Sequence, residues 1–484
     1  MCILIISLIL LPVFFPALLA VILPIAKFKE RARNVYVALG VILNFIFTLC
    51  AFHFVGYGNI HILKLNEFVN VYFKIDKLGV LFSILVSTLW IFTTFYSMEY
   101  MKHEGKETRF FSFFILTLGI TLGIGFSGNL FTLYIFYELL TLATFPLVIH
   151  NGTKEAIDSG KKYLIYSFGG ATLVLLGMMI LFSISKTLDF NPGGIVTGIY
   201  DTKVMLGIYI SMFIGFGVKA ALVPFHSWLP SAMVAPTPVS SLLHAVAVVK
   251  SGVFSLIRMS YFIFGVEVIR KTKASVYMSI PIVITILLGS FLALHQENLK
   301  KRLAYSTISQ LGYILLGIIL LNKDAFVGGI LHLINHAVIK IVLFFSVGAI
   351  MYTTGKTKIS EIKGIGKRMP VTMWCFGISS ISLIGIPPSN GFVSKWFLAQ
   401  GGLMAGKILF PAILLISAVL TALYLLPVVT AAFFKKEDEK EITVKESPKK
   451  MLIPIVIITT IVIILGLFPN PVISFIQEIA EEVM

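Results

Sequence analysis

The sequence predicts an all-α polytopic membrane protein with about fourteen transmembrane helices. Three observations point there. Hydrophobic residues make up 57% of the 484 residues and charged residues only 13%, about half the charged share of an average soluble domain. Mean hydropathy is +0.95. Apolar runs recur along the whole chain, most of them near the roughly 20 residues that a bilayer crossing needs.

The runs fall near 3–26, 34–55, 78–98, 110–126, 130–149, 163–185, 204–223, 239–262, 275–294, 303–321, 325–350, 371–399, 409–433 and 451–473. The first has no basic leader and is longer than a signal core, so it reads as a retained helix. Next come two plain apolar runs. Glycines between Gly119 and Gly128 suit close packing of the fourth and fifth helices, and the fifth carries Glu138. The seventh run holds Lys219 and breaks at Pro224; Pro230, Pro236 and Pro238 keep the chain irregular before the eighth. Proline removes a backbone donor and clashes with the preceding turn. In hydrocarbon such a break persists only where protein or a watery cavity satisfies the freed groups. The eighth run carries His244 and Lys250, and the eleventh reads HLINHAVIKIVLFF, with His332, His336 and Lys340. The twelfth is interrupted by Pro387, Pro388 and Gly391, a second broken helix, and holds Lys395 just beyond. Residues 434–450 form a charged loop of mixed sign, and the tail after the last run is short and acidic.

The formal charge of +16 raises nucleic acid as a partner, but in a membrane chain the question is where the basic residues lie. They concentrate after odd-numbered runs: Lys27 to Arg33, Lys102 to Arg109, Lys154 to Lys162, Lys300 to Arg302, Lys356 to Arg368 and Lys435 to Lys450. The cluster Arg270, Lys271 and Lys273 is a local exception. The positive-inside rule therefore puts these loops in the cytoplasm and both termini outside. The expected location is the cytoplasmic (inner) membrane. Cys2, Cys50 and Cys375 are scattered singly, which fits neither a disulfide framework nor an iron–sulfur cluster. Four-residue histidine spacing can hold a metal, but no third ligand lies near His332 and His336, and Lys340 would repel a cation. No cofactor and no metal are expected.

The mid-span charges remain. Each costs about 2.5–3.5 kcal/mol at the centre of a bilayer helix. Glu138 with Lys219, Lys250, Lys340 and Lys395 would together cost on the order of 12 kcal/mol if dry and unpaired, comparable to a domain's net stability. They are expected to face the bundle interior as one set. Successive four-residue steps put His332, His336 and Lys340 on one drifting helical face. His244 and Lys250, six residues apart, fall on different faces of a continuous helix, so both need not line one path. His226, in PFHSWLP, is placed at the cytoplasmic mouth, organising the turn. A plainer reading makes each such residue an interhelical hydrogen bond or ion pair, and Lys219 a snorkelling lysine beside a kink.

The words YIFYELLTL, GFGVKAALVPFHSWLP, APTPVSSLLHA, LAYSTISQLGYI, HLINHAVIK and GIPPSNGFVSKWFL resemble the antiporter-like membrane subunits shared by respiratory complex I, Mrp-type cation/proton antiporters and energy-converting membrane-bound hydrogenases. The resemblance implies helices 1–3 over 1–109, inverted five-helix repeats over 110–262 and 275–433 with broken helices 7 and 12, and a last helix and tail over 451–484. It implies proton translocation, alone or in exchange for sodium, inside a complex with other membrane subunits. By motif position, Glu138 and Lys219 are the switching pair, Lys250 connects, His332, His336 and Lys340 are the central relay, and Lys395 is the terminal lysine. The acidic residues often found after WLP are here Ser231 and Val234, a departure. A stand-alone secondary transporter and a passive scaffold are the rival readings.

Overall fold

The computed structural model describes residues 2–64, 70–198, 200–435 and 445–484. Its helices are α1 (Cys2–Ile25), α2 (Glu30–Ala51), α3 (Lys77–Glu104), α4 (Glu107–Gly125), α5 (Leu130–Val148), α6 (Lys154–Ser185), α7 (Thr202–Lys219), α8 (Trp228–Ser231), α9 (Thr237–Ala245), α10 (Val248–Arg258) and α11 (Gly265–Lys271). They continue with α12 (Ala274–Leu294), α13 (Leu299–Ile319), α14 (Lys323–Thr354), α15 (Pro370–Ile384), α16 (Asn390–Met404), α17 (Leu409–Phe434), α18 (Lys449–Leu467) and α19 (Asn470–Val483). Each expected run is helical over most of its length. Among the described residues, eleven helical stretches are long and apolar enough to cross a membrane.

Helix starts are set by short polar side chains that accept from the otherwise orphaned first N–H groups. Asp76 accepts from Gly79 N at 2.8 Å, Asn129 from Thr132 N at 2.7 Å, and Asn322 from Ala325 N at 3.0 Å. The outer helices turn apolar side chains outward, with Leu18, Ile165, Leu415 and Val419 all well exposed. An exposed apolar surface of that extent marks contact with something other than water. Inside lies α14, buried from Ala325 to Ile350 and packed by α3, α9, α13, α15, α16, α18 and α19. The helix carrying two histidines and a lysine is thus the most enclosed in the bundle.

Three expectations need correction. The chain is not purely helical: residues Ile60–Lys64 (β1) and Asn70–Phe73 (β2) form an antiparallel hairpin. Its β-branched and aromatic residues suit a half-buried strand, and Tyr72 anchors it by donating to Asp189 at 2.6 Å. The eighth helix is not continuous. It breaks at Val246 and Ala247, whose amides both return to the Leu242 carbonyl at 3.0 and 2.8 Å. Lys300 and Arg302 are not loop residues but are buried; Arg302 donates to the carbonyls of Leu294 (3.2 Å) and Gln296 (2.7 Å), closing the end of α12. Where the sequence marks only a short acidic tail, the structure adds a helix, α19, with Ile473, Ile476 and Ile479 buried and Glu481 2.6 Å from Lys323. Residues 436–444 of the expected charged loop lie outside the described residues.

Candidate functional site

Lys219 is the last residue of α7 and has no exposed surface. Its Nζ lies 4.0 Å from Glu138 Oε1 on α5. It also donates to the Tyr137 carbonyl and sits 3.3 Å from the centre of the Tyr137 ring. Glu138 Oε1 is buried with no hydrogen-bond partner, so the lysine is its main compensation. Protein groups satisfy the backbone freed beyond Lys219: Trp228 Nε1 donates to the Val218 carbonyl (2.8 Å), and Val223 N donates to Thr285 Oγ1 (3.0 Å). Gly252 on α10 allows the approach of the next element, since a Cβ there would lie 2.7 Å from Ala220 N. Two residues earlier on that helix stands Lys250.

Lys250 Nζ meets His336 Nδ1 at 2.6 Å, and both are fully buried. One proton must lie between them, donated by either the ammonium or the imidazole. The His336 ring stacks against His332 at 6.1 Å. One turn beyond His336, Lys340 reaches α13 instead, donating to the Leu303 carbonyl at 2.9 Å and to Ser306 Oγ. Among the described residues, Lys250, Lys340 and Lys395 make no ion pair with a carboxylate. His244 packs on Phe344 of α14 at 4.9 Å and has neither ring nitrogen partnered. The expectation that His244 and Lys250 diverge is therefore overturned. The break between them resets the helical phase, and both face α14.

His332 carries the line onward. Its Nδ1 is 2.9 Å from Ser394 Oγ and its Nε2 3.1 Å from Gln310 Oε1. Tyr313 stacks on the imidazole at 5.3 Å, and Lys395 Nζ sits 5.1 Å from the same tyrosine ring. Lys395 then donates to the Leu383 and Ile384 carbonyls, at 2.7 and 2.9 Å, which the end of α15 leaves free. Gly385 takes φ +90° at that end, and a Cβ there would come within 2.9 Å of Lys395 Cδ. Asn335, between the two histidines, donates to the Asn390 carbonyl at 2.7 Å, and Asn390 Nδ2 donates back at 3.2 Å. Helix α14 is thus tied to the second break.

His226 stands apart, in the turn between α7 and α8, with a buried, unpartnered Nδ1. Nearby, Lys162 donates to Ser231 Oγ at 3.1 Å. Ser231 helps line a cleft of about 560 Å³ whose carboxylates, Glu155 and Asp158, come from α6. Sequence reasoning also missed Gln310, Tyr313 and Asn335. All three are uncharged, and only the HLINHAVIK word around Asn335 and the SQLGYI word around the other two offered a signal. It missed Arg258 too, which is fully buried and paired with Asp76 by bonds of 2.5 and 2.7 Å.

Comparison with known proteins places this arrangement. Residues 127–421 match the family described as "NADH:quinone oxidoreductase/Mrp antiporter, TM", and residues 65–111 match "NADH-Ubiquinone oxidoreductase (complex I), chain 5 N-terminus". NADH-quinone oxidoreductase subunit N of Desulforudis audaxviator is 34% identical over 368 residues, 73% of this chain and 71% of that protein. Na(+)/H(+) antiporter subunit A1 of Staphylococcus aureus is 32% identical over 453 residues; these are 86% of this chain but 55% of that protein, so the match spans about half its length. Among solved structures, a chain of the Mrp complex from Dietzia sp. DQ12-45-1b superposes with a TM-score of 0.88 at 20% identity, covering 99% of this chain and 97% of that one. A chain of the membrane-bound sulfane sulfur reductase, an archaeal respiratory membrane complex, gives 0.87 at 22% identity, covering 99% and 98%. These two share the fold. On the extent of the family match and the identity to subunit N, this multi-pass membrane chain belongs to the NADH:quinone oxidoreductase/Mrp antiporter transmembrane family, as an antiporter-like subunit.

Proposed function

We propose that the chain translocates protons, alone or in exchange for sodium, as one subunit of a multisubunit complex in the cytoplasmic membrane. The observation that carries this reading is the succession Glu138, Lys219, Lys250, His336, His332 and Lys395, with Lys340 beside it. From Lys250 to Lys395 neighbours in it are joined by direct contacts or by one intervening residue, as are Glu138 and Lys219; between Lys219 and Lys250 the tie is the close approach of Gly252 on α10 to the end of α7. Proton-carrying groups at mid-membrane, at helix breaks, are what an ion path needs. Cations without carboxylate partners repel one another, so protonating one member of the Lys250, His336, Lys340 group disfavours charge on the next, while Glu138 acts on Lys219. Moving one charge against 100 mV costs about 2.3 kcal/mol, within the range of such pairwise effects. Inverted five-helix repeats over 110–262 and 275–433, and fourteen crossings with both termini outside, complete the proposal.

Two tests separate it from its rivals. The complex isolated from the native membrane and reconstituted in vesicles should move protons, whereas the purified lone chain should not. Robust transport by the lone chain would favour the stand-alone transporter. For topology, single cysteines in a background without Cys2, Cys50 and Cys375 should label at Lys356 only from the cytoplasm and at Asn191 only from outside. Labelling of both positions from one side would overturn the orientation.

A further inference from the structure

The buried state of Lys300 is what the loop assignment least prepares for. It stands in the first turn of α13, 6% exposed, and its Nζ donates to the Ala235 carbonyl at 2.6 Å, in the irregular chain just before α9. Across that gap runs the end of α3. Tyr100 there accepts from Thr237 Oγ1 at 3.0 Å, and one turn later comes Glu104, half-buried, forming no ion pair within 4.0 Å with Lys300 but near enough to feel its charge and that of His103. On the inner side of Lys300, along α9, is His244. It feels the charges of Lys300, Lys340 and Lys250, and both its ring nitrogens are buried and unpartnered. An imidazole always carries at least one N–H when neutral, and leaving such a group unmet costs about 1–3 kcal/mol. Water or a moving ammonium must therefore meet it during function.

Resting on the proton-translocating reading above, we propose that Glu104 and Lys300 are a proton-uptake relay that loads His244, and through it the Lys340 and Lys250 group. The relay runs from the cytoplasmic end of the gap between α3, α9 and α13. The half-buried carboxylate collects a proton from water. The lysine, held by one carbonyl and free to turn on its four-carbon stem, passes a proton inward and takes the next from Glu104. His244 accepts at one nitrogen and releases from the other. Only protons are transferred, and no cofactor is needed. The titratable groups that face these residues are Tyr100, His103 and Glu104 from α3, His244 from α9, Lys250 from α10, Lys300 from α13 and Lys340 from α14.

The test uses the assembled complex in vesicles at matched subunit content, with proton transport read against the pH on the cytoplasmic side. Glu104→Gln should slow transport about tenfold or more near neutral pH and recover as that side is acidified, because a higher proton concentration replaces the lost collector. Glu104→Asp should keep most of the rate. Lys300→Met and Lys300→Arg should both stall transport, since arginine can hold the Ala235 carbonyl but does not give up its proton. Restoration by Lys300→Arg, or a Glu104→Gln deficit equal at every pH, would make the pair structural and overturn the relay. Glu138→Gln is the control. If it stalls transport while Glu104→Gln does not, this relay alone fails; if neither alters transport, the wider reading fails with it.

Discussion

Glu138→Gln and Lys219→Met are each expected to lower proton transport by the reconstituted complex by an order of magnitude or more, with assembly close to normal. At 4.0 Å a unit-charge pair gains about 4 kcal/mol at the effective dielectric of 20 that suits protein sites. Holding two charges at mid-membrane costs about 5–7 kcal/mol on insertion scales. The two terms are of the same size, so neither the paired, charged state nor the separated state with its proton moved on dominates by much. That near-balance suits a switch. A tight structural pair would instead fill the carboxylate's acceptor sites with donors, yet Glu138 Oε1 has none. Gln at 138 keeps shape and hydrogen-bonding capacity, and Met at 219 keeps the bulk of the stem. Lys219 would retain its donation to the Tyr137 carbonyl in the glutamine variant. Fold should therefore survive while the charge that holds the proton on Lys219 is lost. Wild-type transport by both variants, at matched protein levels, would make the pair structural.

What the sequence disclosed, and what it did not, divides along a physical line. Spans were legible because a bilayer demands long apolar runs, and the two breaks at Pro224 and Pro387 were legible because proline announces itself. Buried charges such as Lys219 and Lys340 stood out against apolar neighbours. The break at Val246–Ala247 was not legible. No proline or glycine marks it, and only tertiary packing, of α9 on α14 and of α10 on α7 and α13, sets it, which is why the helical-face argument for His244 and Lys250 failed. Lys300 was hidden for a different reason. In the run NLKKRLAY it looks like any cytoplasmic anchor, and only the fold turns it inward while Lys301 stays exposed. Hydroxyl and amide partners such as Ser306, Gln310 and Asn335 carry no charge to betray them. Tertiary structure alone brings them beside His332, His336 and Lys340.

Asp76→Ala is expected to destabilise the chain by about 4–6 kcal/mol, more than any other single substitution considered. That carboxylate does two things. It caps α3 through Gly79 N, a contact whose loss costs about 1 kcal/mol. It is also the counter-ion of Arg258, whose guanidinium is fully buried among Phe190, Phe254 and Phe262, with ring centres at 5.3, 5.1 and 4.6 Å. Removing one partner of a buried pair strands the other charge, at about 3–5 kcal/mol. The Gly125 carbonyl, 3.4 Å from Nη2, and the ring faces offset only part of that. Arg258→Leu should cost less. It removes the charge that is hardest to solvate, while Asp76, with a fifth of its side chain exposed, keeps both water and its cap. The asymmetry has a direct consequence for the double variant. Asp76→Ala with Arg258→Leu should be more stable than Asp76→Ala alone, because the stranded guanidinium is gone and only the cap and some packing are lost. Thermal unfolding in detergent, with the three variants compared at one pH and salt concentration, reads this order. Equal losses for the two single variants, or a double variant less stable than Asp76→Ala, would show that the pair is solvated in a way its burial does not allow.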